Sequence, residues 1–149
     1  MLPLLCAAFV AEAAPDLPYR IEVADVTLRP NETGAVRVTY AVPAGFHTYR
    51  DWVHVEVTDH ADLSFGAPSY PPGVMKDDPA APGTKRETYE QDVLVDIPVT
   101  APAKAGTYSV ELLTRYQGCK KSLCYMPFEE THTAVVTVAG EPVAPAAVP

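Results

Sequence analysis

No stretch of this chain is a long run of good helix formers, and that absence is the first constraint on its fold. There is no internal repeat and no glycine-rich phosphate loop. The four histidines, His47, His54, His60 and His132, share no spacing that would build a zinc site. The longest apolar run, at the N-terminus, is too short to span a bilayer. Basic charge is also scarce. Eleven lysines and arginines stand against nineteen aspartates and glutamates, for a formal net charge of −8. An acidic surface repels phosphate backbones, so no nucleic-acid partner is expected. Cysteine occurs three times, and one of the three, Cys6, lies in the N-terminal apolar run.

What is present points to β structure. The 149 residues suffice for one domain with a core, and 48% of them are hydrophobic. Sixteen prolines, eight glycines and abundant valine and threonine favour an all-β domain rich in turns. Residues 1–14 read as the remnant of a secretory signal, with Ala11-Glu12-Ala13 at the place of a cleavage site but no basic residues at the start. Residues 140–149 are rich in proline and alanine and read as a linker or tail, which leaves residues 15–139 as the domain. Removal of the signal takes Cys6 with it. One pair, Cys119 and Cys124, is then left in an oxidising compartment where disulfides persist.

Alternation with a period of two predicts strands over residues 19–28, 35–42, 46–57, 63–65, 89–99, 107–117 and 131–138. In residues 35–42, for example, Val36, Val38, Tyr40 and Val42 share a face. Residues 67–83 are crowded with proline and are expected to be irregular. Asn31-Glu32-Thr33 matches a glycosylation acceptor but reads as a turn. Seven or eight short strands with turns between them make an immunoglobulin-like β-sandwich the expected fold. A local cysteine pair is not the disulfide that pins two distant strands in antibody domains.

The segment Tyr116-Gln117-Gly118-Cys119-Lys120-Lys121-Ser122-Leu123-Cys124-Tyr125-Met126-Pro127 lies between two expected strands. Its cysteines, with four residues between them, should face each other across a hairpin. From the residues alone, the pair reads either as a reversible redox disulfide or as a structural staple.

Tyr116-Gln117-Gly118-Cys119, followed by Cys124-Tyr125 and Pro127, resembles the signature of the N-terminal periplasmic domain of the DsbD thiol:disulfide interchange proteins. Gly45-Phe46-His47-Thr48-Tyr49-Arg50 is similar to that family's glycine-aromatic-tyrosine-arginine segment. The stretch from Gly73 through Asp77-Asp78 to Gly83, then Lys85, Glu87 and Tyr89, resembles its acidic cap loop. The resemblance implies an immunoglobulin-like domain with a redox-active cysteine hairpin under a proline-rich cap loop. It implies electron transfer from a thioredoxin-like donor to periplasmic disulfide isomerases or cytochrome-maturation thioredoxins, with no cofactor. It also implies a location in the periplasm and allows a tether to a membrane domain beyond the C-terminus. By position, Cys124 matches the cysteine that attacks the partner and Cys119 the resolving one. Asp77 and Asp78 match an acidic pair beside the site, and Tyr49 an aromatic that lines it. His47 and Tyr125 complete the expected surroundings. The chain departs from the family in three places. The cysteines are closer in sequence than usual, Pro79-Ala80-Ala81-Pro82 replaces a shielding aromatic, and His47 replaces an aromatic hydroxyl residue.

The chemistry asks for a thiolate. Lys120, Lys121 and His47 would favour it, whereas Asp77 and Asp78 would oppose it. The alternative reading is an immunoglobulin-like binding or adaptor module with a purely structural disulfide. A copper- or haem-delivery chaperone is weaker, because no methionine or histidine completes a ligand set with the cysteines.

Overall fold

The computed structural model describes residues 20–144, an all-β structure of thirteen strands. In chain order these are β1 (Ile21–Val23), β2 (Val26–Leu28), β3 (Thr33–Tyr40), β4 (Phe46–Tyr49), β5 (His54–Asp59) and β6 (Ser64–Phe65). There follow β7 (Val74–Asp77), β8 (Lys85–Tyr89), β9 (Val93–Thr100) and β10 (Gly106–Tyr116). The last are β11 (Gly118–Lys120), β12 (Leu123–Cys124) and β13 (Phe128–Val138). The signal-peptide reading, Cys6 and residues 145–149 lie outside the described residues.

Two four-stranded sheets form the sandwich, ordered β1-β3-β9-β6 and β2-β13-β10-β5. Every pairing in them is antiparallel except that of β2 with β13. The core lies between them, where Val36 and Val38 of one sheet and Val110, Leu112 and Val136 of the other are fully buried. The alternating pattern that predicted the strands is this burial pattern, since every second side chain of a strand points inward. A third sheet, ordered β12-β11-β4-β8-β7, carries the cysteines.

Three expected strands are each divided. Residues 19–28 split at Ala24 and Asp25 into β1 and β2, which belong to different sheets. Asp25 is held there by the N–H of Val135 on its Oδ1 at 2.8 Å. Residues 46–57 break at a 3₁₀ turn, Arg50–Trp52, between β4 and β5. Residues 89–99 break at residues 90–92, where Asp92 accepts the Val42 N–H at 2.9 Å. Across the first two breaks the inward positions change parity, from Ile21 and Val23 to Val26 and Leu28 and from Phe46 and Thr48 to Val53 and Val55, whereas across the third they stay in phase from Tyr89 to Val93. The proline-crowded segment also holds a strand, β7. Val74–Asp77 contains no proline and pairs with β8. Asn31 does sit in a turn, with φ 65°. The start of the C-terminal tail is tied to the body, with Arg29 donating to the carbonyls of Glu141 (2.7 Å) and Pro142 (3.2 Å).

The third sheet is built where chain leaves the sandwich. β10 runs on through Gln117 into β11, β4 leads into β5, and β8 leads into β9. Its inner face joins the core through buried Tyr89. Thr48 is buried beside it, its hydroxyl donating to the Gln117 carbonyl at 2.6 Å. At this end of the sandwich the Tyr40 ring meets Tyr116 edge-on at 6.2 Å, and its hydroxyl donates to the His54 carbonyl at 2.8 Å. The cysteine hairpin therefore stands on a packed and hydrogen-bonded base.

Candidate functional site

β11 and β12 form a tight hairpin in which Cys119 pairs directly with Cys124, and Lys120 with Leu123. Only Lys121 and Ser122 are left to turn the chain. Two-residue hairpin loops favour residues with positive φ, and Lys121 adopts φ 56°. A non-glycine residue there stores strain of about 1 kcal/mol. The paired cysteines, with Cα atoms 4.0 Å apart, are joined as a disulfide. Their surroundings differ. Cys119, on the strand between β12 and β4, is fully buried, whereas Cys124, on the edge strand, is exposed.

The exposed sulfur has an apolar and basic border. Leu123 and Met126 are 66% and 83% exposed, and Lys120 and Lys121 are exposed beside them. Tyr125 is half-buried and stacks on Phe46 with ring centroids 6.2 Å apart. Its N–H donates to the Gly118 carbonyl at 2.8 Å, and its carbonyl accepts from the Gln117 side chain at 3.1 Å. Tyr125 thus fixes the return of the chain from the hairpin.

On the other side of Cys119 the neighbour is His47, its direct partner in the pairing of β11 with β4. Directly paired residues project from the same face of a sheet. Thr48 pairs with Tyr89, so the next position of that register sets Glu90 opposite His47. Cys124, Cys119, His47 and Glu90 accordingly form one row across the sheet. The His47 ring meets the Tyr49 ring edge-on at 5.3 Å. Tyr49 lies under the Arg86 guanidinium at 3.6 Å, and Arg86 grips Asp51 with contacts of 2.8 and 3.0 Å. Burial holds the His47 imidazole below the ordinary histidine pKa; Glu90 opposes that shift and Lys76 adds to it. The hydrogen bond from Lys76 keeps the Glu90 carboxyl below the usual range.

His47, Tyr49, Thr88 and Glu90 line an open cleft of about 230 Å³, together with Lys76, Asp77, Pro79 and Lys121. Of the expected acidic pair, Asp77 faces this cleft, with its side chain 91% exposed and ion-paired to Lys85 at 3.1 Å. Asp78 does not line it. Its Oδ1 accepts the Ala80 N–H at 2.9 Å and its own N–H donates to Thr84, so it shapes the turn of the cap loop. The structure thus gathers Cys119, Cys124, His47, Tyr49 and Asp77 around one end of the third sheet. Glu90 and Lys76 went unnoticed in the sequence, because their place depends on the register of β4 with β8. Among the described residues no cluster of three or more His, Cys, Asp or Glu side chains could hold a metal ion.

Comparison with known proteins agrees with this geometry. Residues 16–136 match the family described as thiol:disulfide interchange protein DsbD, N-terminal. A solved complex between the DsbD N-terminal and PilB N-terminal domains from Neisseria meningitidis is similar in fold. It has 22% identity over 81% of this chain and 85% of that one, with a TM-score of 0.57. The DsbD N-terminal domain from Neisseria meningitidis in its reduced form has 26% identity over 72% of this chain and 78% of that one, with a TM-score of 0.50. No curated protein matches the chain.

Proposed function

The chain belongs to the DsbD N-terminal family of thiol:disulfide interchange proteins, and we propose that it works in the periplasm as a protein-disulfide reductase domain. Its chemistry is thiol:disulfide exchange through the Cys119–Cys124 disulfide. A thioredoxin-like donor supplies two electrons. Its thiolate attacks the exposed Cys124 Sγ, the Cys119–Cys124 bond breaks, and Cys119 leaves as a thiolate that takes up a proton. The donor's second thiolate then releases Cys124. The reduced domain passes the electrons on in the reverse sense, with Cys124 attacking the disulfide of an isomerase or a cytochrome-maturation thioredoxin and Cys119 closing the ring again.

The observation that carries this assignment is the unequal burial of the two sulfurs. A protein nucleophile has to approach along the S–S axis, and only Cys124 stands open to one. Leu123 and Met126 supply apolar area around it for a docked partner. The solved complex of the Neisseria meningitidis domain with a PilB N-terminal domain supports a protein as exchange partner. Tyr49 and His47 form the floor beside the disulfide, Tyr125 braces the hairpin, and Asp77 and Asp78 position the cap loop. The test is trapping. Cys119→Ala should accumulate a mixed disulfide with a thioredoxin-like partner on a non-reducing gel, and Cys124→Ala should not. Trapping by Cys124→Ala alone would reverse the roles.

A further inference from the structure

Burial of Cys119 raises a problem that exchange chemistry must solve. During closure of the ring the Cys119 thiol has to lose a proton, yet its sulfur has no access to water. Its own strand offers little help, since Lys120 pairs with Phe46 and holds its Nζ 5.3 Å from that ring. The titratable side chain set directly against Cys119 across the sheet is His47. Directly paired side chains have Cβ atoms about 4.5–5.5 Å apart, within reach of an imidazole. His47 also lines the open cleft, so its ring spans the boundary between the buried sulfur and solvent.

We propose that His47 is the general base for Cys119, with Glu90 as its charge partner and Tyr49 as the group that orients the ring. The inference rests on the role of Cys119 as the resolving cysteine. In the step, neutral His47 takes the Cys119 proton, and the thiolate attacks Cys124 Sγ of the mixed disulfide. The Cys119–Cys124 bond forms, the bond from Cys124 to the partner breaks, and the electron pair leaves on the partner sulfur as a thiolate. The imidazolium then gives its proton to the cleft. A nucleophile, a base beside it and a third group behind the base is the general arrangement for activating a weak nucleophile. The charged groups facing the ring act in opposite senses. Glu90, paired with Lys76, favours the transient imidazolium, whereas Asp77 across the cleft is screened by Lys85 and by water. Burial, and after it Lys76, discourage a resting imidazolium, and Lys121 adds positive charge to the wall of the cleft. The ring is therefore neutral and ready to accept a proton at neutral pH.

The experiment uses the reduced domain and a symmetrical nitrobenzoate disulfide, which releases one coloured thiolate when Cys124 attacks and a second when Cys119 resolves. Stopped-flow traces over about pH 5–9 separate the two phases. In His47→Gln the second phase should slow about tenfold or more relative to the first, and its rise should move to higher pH. A second phase with the wild-type rate and pH profile would overturn the proposal. If Cys119→Ala still releases two thiolates, or Cys124→Ala keeps the first phase, the assignment of the cysteines fails instead. Should His47→Gln lose its thermal transition, the wild-type protein supplies the answer by proton NMR. The His47 ring should titrate at different pH in the oxidised and reduced forms, and coincident titrations would overturn its coupling to Cys119.

Discussion

The ion pair between Lys85 and Asp77 sets how much of the Asp77 charge reaches the disulfide. Asp77 is almost fully exposed, so water and Lys85 both screen it. Asp78 uses its carboxylate within the cap loop. The sequence led to an expectation that the two carboxylates together restrain the attacking thiol, and the geometry makes that restraint weak. Replacing both with asparagine should speed alkylation of Cys124 in the reduced domain by about threefold at most at neutral pH. The rate of iodoacetamide reaction as a function of pH measures this, and a tenfold gain would place the carboxylates closer to the thiol than their ion pair and turn imply. Single residues divide sharply in how well the sequence announces them. The cysteines, Tyr49 and Asp77 stand in local motifs. Glu90 and Lys76 belong to the site only through the pairing of β4 with β8 and β8 with β7, a relation between segments far apart in the chain.

At the scale of the hairpin, the disulfide closes a very short loop. Cross-linking stabilises a fold mainly by restricting the unfolded chain, and this effect grows with loop length. A Cys119→Ala, Cys124→Ala variant should therefore keep its sandwich and lose at most about 2–3 kcal/mol. Urea denaturation of the oxidised protein and the variant gives the difference, and an unfolded variant would mark the disulfide as a structural staple. At the same scale, alternation along the chain does not mark where one strand ends and the next begins. The inward positions change parity between β1 and β2 and between β4 and β5, and stay in phase only between β8 and β9. A period of two records which side of a strand is buried and carries no information about which sheet the strand has joined. β7 was missed for a different reason, because the prolines on both sides of it outweighed four residues able to pair.

For the whole molecule, the core of Val36, Val38, Val110, Leu112 and Val136 lies between two sheets that do not contain the cysteines. The fold and the disulfide then support each other only weakly, and linkage makes that mutual: a bond that adds little stability to the fold is not held strongly oxidised by it. The reduction potential should fall at about −200 to −270 mV, in the range of thioredoxin-like exchangers, and not below about −300 mV, where structural bridges lie. Equilibration with glutathione or dithiothreitol buffers measures it.

The third sheet sits at the end of the sandwich, anchored through Thr48 and Tyr89 and through Phe46, which packs against the core. A two-electron change made there acts on two sulfurs that lie outside the two sheets enclosing the core, so the sandwich is expected to keep its fold when the bond opens. Any reshaping on reduction should then be confined to the hairpin and its neighbours in the third sheet, and amide chemical shifts of the oxidised and reduced domain should differ there and coincide in β3, β9, β10 and β13.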